Sequence, residues 1–163
     1  PQNLHQDLIS EEWVLRLAKQ GINFRKILDR HLWHDYSQID AILAIRPNKG
    51  DHHSRKPPSK LINAWLAGVP AILGPDSAFK EIRKSEYDYI EVSSADEAFD
   101  AILKLRDEKE FRQKMIINGF KRGKEYTQDA NYKRWVIFFE TFAIPLYKKR
   151  MNWGLLSFYF MNK

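Results

Sequence analysis

Two short apolar runs frame a helix-length segment, and that spacing constrains the fold more than any other feature. Asp40 to Ile45 (DAILAI) is nearly continuous in apolar side chains, and so is Val69 to Leu73 (VPAIL). Runs of that length without alternation suit strands buried on both faces. Between them Ser59 to Ala67 (SKLINAWLA) reads as a compact helix, stopped by Gly68. A strand, a crossover helix and a second strand make a parallel pair. The class expected is α/β, with a Rossmann-like parallel sheet and helices on both faces.

The flanking elements extend the pattern. Ser10 caps a helix whose first turn holds Glu11 and Glu12, and Gly21 ends it. Ile22 to Ile27 alternates and is expected as a strand, followed by a loop and helical turn over Trp33 to Ile39. Asp76 is expected to N-cap a helix to about Lys84, and Tyr89 to Val92 to form a short strand. Ser94 with Glu97 reads as a capping box, and Asp107 with Glu110 repeats it. From Asp129 the residues Tyr132, Trp135, Val136, Phe139, Phe142 and Ala143 fall at helical spacing, until Pro145 is expected to break the helix. A chain opening on a helix, with four strands in view, implies that at least one N-terminal strand is missing. The partition expected is a partial domain over 1–144 and a basic-aromatic tail over 145–163.

Composition excludes several classes. The 163 residues include 44% hydrophobic and 13% aromatic side chains, too many for a disordered chain. There is no cysteine, so thiol catalysis, disulfides and Cys-ligated zinc are excluded. No run approaches the roughly 20 apolar residues of a membrane span, and no signal peptide opens the chain, so the expected compartment is the cytoplasm.

Lys and Arg number 27 against 21 acids, a net charge of +6. That excess is concentrated. Arg46 to Lys60 holds five bases and one acid, and a second basic region runs from Lys121 to Arg150. A dense patch in one loop suits a small anion better than a nucleic-acid coat, whose cations would spread along a face. The patch leads into the helix at Ser59, behind Pro57 and Pro58, which stiffen the approach. Free N–H groups and the dipole at that end attract anions. Lys60 adds a cation where cations disfavour the helix, and such local conflicts mark functional sites. Asn63, one turn on, is placed to hydrogen-bond a ribose or sugar hydroxyl.

SKLINAWLAGVPAILG resembles the donor-binding segment of GT-B glycosyltransferases. Ala64 to Ile72 fills the A-M-A-x-G-x-P-V-I pattern of the large retaining group. Lys60, Leu61, Asn63, Ala64, Gly68, Pro70 and Gly74 match a similar stretch of the fucosyltransferases. The resemblance implies a nucleotide-sugar donor domain, with the diphosphate at Pro58, Ser59 and Lys60. It implies further that Arg46 supplies phosphate charge, that Tyr36 or Trp33 stacks on the base, and that Ser77 approaches the donor. Lys60 and Arg46 are then the catalytic candidates. The family's two glutamates fall on Arg55 and Asn63, so Asn63 would substitute for a carboxylate. No metal or other cofactor is required. The acceptor would bind an N-terminal domain outside this chain, and the tail from Leu146 to Lys163 suits contact with a membrane surface, with such a missing domain, or with neither. The alternative is a non-catalytic Rossmann-like module holding nucleic acid or an acidic partner.

Other chemistry-bearing residues read as background. His34 beside Asp35 is a surface histidine, and Asp51, His52 and His53 lack a third ligand at helical spacing. Glu86-Tyr87-Asp88 reads as surface.

Overall fold

The computed structural model describes residues 6–27, 29–46 and 56–151. They fall into two compact units, Pro1–Gly123 and Lys124–Lys163. The boundary expected after Ile144 therefore falls inside the second unit.

The first unit is α/β. Its strands β1 (Ile42–Ala44), β2 (Ala71–Leu73) and β3 (Ile90–Glu91) form one parallel sheet in the order β1-β2-β3. Ile42 is in register with Ala71, and Ile72 with Ile90. The middle strand is wholly buried. Ile72 joins the cluster of Trp13, Leu17, Phe99 and Leu105, whereas Ala71 and Leu73, which alternate to the other face, are equally buried. Both faces of β2 are therefore covered. Each such aliphatic side chain contributes about 1.5–3 kcal/mol by leaving water.

The helices begin and end where local chemistry directs. Ser10 caps α1 (Glu11–Ala18) by accepting from the Trp13 N–H at 3.1 Å. Ser94 caps α4 (Ala95–Asp107) by accepting from the Glu97 N–H, while the Glu97 carboxylate takes the Ser93 N–H at 2.7 Å. α2 (Ser59–Ala67) stops at Gly68, whose φ of 68° is the left-handed conformation glycine favours. There the Val69 N–H reaches back to the Ala64 carbonyl at 2.9 Å. α3 (Ser77–Ile82) is short, and α5 (Lys109–Gly123) runs along α2.

The α2–α5 contact bears on two glycines inside a helix, where each costs about 1 kcal/mol relative to alanine. A Cβ on Gly119 would lie 3.4 Å from the Trp65 side chain. One on Gly123 would lie 3.3 Å from the Leu66 backbone nitrogen. At Gly123 an added side chain would press on Leu66, whereas at Gly119 it would meet Trp65 at ordinary contact distance. Beside them Asp88 is buried with its side chain fully covered. Its carboxylate accepts from the Lys84 and Ser85 N–H groups, from Asn118 at 2.8 Å and from Arg122 at 3.2 Å. Arg122 also donates to the Ile82 carbonyl and lies over the Trp65 ring, whose indole N–H donates to the Asp88 carbonyl. Asp88 is thus a core tie rather than the surface residue its neighbours in sequence implied. An acid flanked by Glu86 and Tyr87 gives no sign in sequence that an arginine 34 residues on will meet it.

Other expectations are corrected. Residues 22–27 form no strand; Ile22 and Phe24 pack against the core, but among the described residues no ladder partner pairs with them. Alternation reports burial of one face, and a strand also needs a neighbour. Asp107 ends α4 and binds Arg106 instead of capping α5. In the second unit α6 (Gln128–Phe138) starts one residue before the expected Asp129, and Thr127 caps it by accepting from the Ala130 N–H at 3.3 Å. Pro145 does not break the helix. A π-helical turn over Phe139–Ala143 precedes it, and helix continues over 144–151. The wider turn gives the proline ring room beside the carbonyl four residues back. Tyr132, Trp135, Phe139 and Phe142 are exposed, with Trp135 stacked on Phe139 at 5.8 Å. Among the described residues no helix is long and apolar enough to cross a membrane.

Candidate functional site

The parallel order brings the carboxyl ends of β1 and β2 side by side, with the start of α2 close to them. Gly74 makes the junction tight. Its N–H donates to the Ala44 carbonyl at 3.0 Å, and a Cβ there would sit 3.5 Å from the Ile45 Cα. Two residues past β1 stands Arg46, and three past β2 stands Asp76. Their side chains form an ion pair, 15% and 8% exposed. Asp76 occupies the N-cap position of α3, yet its side chain makes no capping bond. The expected cap has been diverted to the arginine.

Pro58 holds the N-cap position of α2, with Ser59 and Lys60 in its first turn. The Pro58 carbonyl accepts from the Leu61 and Ile62 N–H groups at 3.0 and 3.1 Å. Proline has no side-chain acceptor, and among the described residues no side chain caps the helix. The Ser59 and Lys60 N–H groups head a first turn that has no carbonyls of its own to offer them.

Lys60 completes the cluster. The residue is exposed overall, but its ammonium sits in a crowded position. Loss of water around it pushes its pKa down, the Arg46 charge adds to that, and Asp76 opposes it. Arg46 thus pairs with Asp76, and the Lys60 ammonium lies near enough to feel both charges. In the free protein this arrangement works against itself, and an anion would relieve it.

Tyr36 reaches the same helix. It is half-buried, and burial raises its pKa while a side-chain hydrogen bond with Asn63 lowers it. Asn63 therefore faces Tyr36. Ser77 stands directly after Asp76 as the first residue of α3 and is half-buried. Trp33 donates its indole N–H to the Ile27 carbonyl at 3.0 Å. Asp35 is occupied by the Ser37 N–H and hydroxyl, which hold its carboxyl below the usual range, and it makes no dyad with His34. Asp51, His52, His53 and Arg55 lie outside the described residues.

The structure therefore joins Arg46 with Lys60 and Tyr36 with Asn63. Asp76 is the residue that sequence reasoning missed as a partner. The signal was available: a base shortly after one buried strand and an acid shortly after its neighbour meet when the strands are parallel. A second polar cluster lies along β3, around a hollow of about 520 Å³ lined by Arg83, Tyr89, Glu91 and Lys104. There burial and the Glu91 charge push Tyr89 up to about 12. Neither this hollow nor the one beside Lys109 and Phe111 includes a residue of the Arg46 cluster. No family model, curated protein or solved structure matches the chain.

Proposed function

We propose that the chain is the donor-binding half of a GT-B glycosyltransferase with a Rossmann-like sheet. In that reading it holds the diphosphate of a nucleotide-sugar while the sugar passes to an acceptor on a missing N-terminal domain. The observation that carries it is the crowding of Lys60 and Arg46 around Asp76 at the uncapped start of α2. Ligands of open α/β sheets gather at the carboxyl ends of strands, where this cluster lies.

The chemistry follows from the charges. As the bond between the sugar's anomeric carbon and the diphosphate oxygen breaks, negative charge collects on the leaving nucleotide. Lys60, the α2 N–H groups and the remaining donors of Arg46 would take up that charge without reorganising. Arg46 enters already engaged by Asp76, so Lys60 is the more available cation. Asn63 and Tyr36 would then address the ribose and base, and Ser77 the far side of the phosphate.

Thermal stabilisation by UDP, GDP, ADP and their sugars, against inorganic phosphate, tests the reading. A shift with one nucleoside diphosphate, absent with phosphate and lost in Lys60→Ala, supports it. Equal shifts with phosphate reduce the site to a simple anion cradle. A steep salt dependence with an oligonucleotide favours the nucleic-acid module instead. No shift with any of them, in the chain joined to its acceptor domain, overturns it.

A further inference from the structure

Among the described residues, Ser10, Asp76, Ser94 and Thr127 each precede a helix on extended backbone and carry a side-chain oxygen. Ser10, Ser94 and Thr127 accept from the third N–H of their helix, at Trp13, Glu97 and Ala130. Asp76 has the same kind of backbone, with φ −70° and ψ 135°, and aspartate is among the strongest caps. Its carboxylate nevertheless makes no capping bond. The backbone has already begun the helix: the Asp76 carbonyl accepts from the Phe79 and Lys80 N–H groups at 3.1 and 3.2 Å. Only the side chain is turned away.

What holds it is Arg46, through one guanidinium nitrogen, Nη1, and one carboxylate oxygen, Oδ2. Asp88, by contrast, uses both oxygens on its donors. The Asp76 carboxylate therefore has two resting places one side-chain rotation apart. One is Arg46 at the end of β1, and the other is the Ala78 and Phe79 N–H groups of its own helix. An anion drawn to Arg46 meets a carboxylate already there, and like charges at that range repel.

We infer that Asp76 is an exchangeable counterion, which occupies Arg46 in the empty site and turns back to cap α3 when a diphosphate takes its place. The inference rests on the donor-site reading and adds a regulating residue to it. A ligand gains the Arg46 donor now on Asp76 only in molecules whose carboxylate has left, so the pair lowers the apparent affinity. After the sugar has moved, the same carboxylate competes with the nucleotide diphosphate for Arg46 and favours its release. α3 itself holds no ligand; its first turn only receives the displaced side chain.

Hydrogen exchange at the Ala78 and Phe79 amides, with and without nucleotide, tests it. Arg46→Met frees Asp76 with no ligand present, and the faster-exchanging of the two amides should slow ~10-fold relative to wild type. Asp76→Ala on that background should abolish the slowing. In wild type, saturating UDP, GDP or ADP, whichever binds, should protect the same amide. Asp76→Asn keeps a capping side chain without the charge. It should bind that nucleotide ~10-fold more tightly, with little further change at the amide. Should Arg46→Met fail to fold, the wild-type amides with nucleotide still decide. Unchanged amides in Arg46→Met would overturn the exchange and leave the donor reading standing. So would nucleotide binding that leaves the wild-type amides unchanged, since the aspartate then merely repels the ligand. If no nucleotide binds wild type or Asp76→Asn, the exchange falls. The donor reading falls only when the chain joined to its acceptor domain binds none either.

Discussion

Two aspartate–arginine pairs in the first unit use the same groups for different ends. Asp88 and Arg122 have side chains 0% and 4% exposed, and the carboxylate receives N–H donors from Lys84 and Ser85 and from Asn118 and Arg122 of α5. Asp76 and Arg46 are 8% and 15% exposed, and a second cation, Lys60, lies near enough to feel both charges. The first pair is satisfied on every side and joins α2, α5 and the chain entering β3. The second leaves an excess positive charge at a helix start. A pair closed on itself specifies packing, whereas a pair left one negative charge short can serve a ligand.

The comparison breaks first at Asp88. Asp88→Ala strands a buried guanidinium, and urea unfolding should show a loss of about 3–5 kcal/mol. A loss under about 1 kcal/mol would show that water replaces the carboxylate and that the pair is not closed. Gly123→Ala tests the packing that surrounds it. The added methyl presses on the Leu66 backbone, so a loss of about 1–3 kcal/mol is expected despite alanine's better helix propensity.

Lys60 should behave in the opposite way. Lys60→Met should leave stability at pH 7 unchanged or slightly raised, because it removes a poorly hydrated charge beside Arg46. Here the sign follows from proton binding. The folded chain holds the Lys60 proton less tightly than the unfolded chain, whose lysine keeps its ordinary value near 10.5. The penalty is complete below the folded pKa and relieved as pH rises through it. Urea midpoints of wild type relative to Lys60→Met should therefore rise on the alkaline side of neutrality. A flat difference would mean that the ammonium is fully hydrated.

The smallest effect is expected at Trp13, far from either pair. Its buried indole N–H finds no partner among the described residues. Trp13→Phe loses apolar area but also an unsatisfied donor, so the net change should stay within about 1 kcal/mol. A larger loss would show that the N–H is bonded in solution.

Much of this was legible before any coordinates. The strands at 42–44 and 71–73, the helix between them and its stop at Gly68 follow from apolar runs and one glycine. The caps at Ser10 and Ser94 follow from hydroxyls placed before acids. Lys60 was conspicuous because it stands at the wrong end of a helix for stability. Hidden were the relations that cross the chain. Asp76 looked like a cap until parallel pairing set it beside Arg46, 30 residues away. Asp88 looked like surface until α5 folded over it. Pro145 looked like a stop because sequence shows the missing N–H but not the π turn that makes room for it.

What the sequence determined alone is periodicity and local capping, since both depend on side chains within a few residues of one another. Tertiary structure decided which charged groups became partners and which strand took the middle of the sheet. Those outcomes depend on desolvation and on ladder order, and both are set by segments that meet only after the chain has folded.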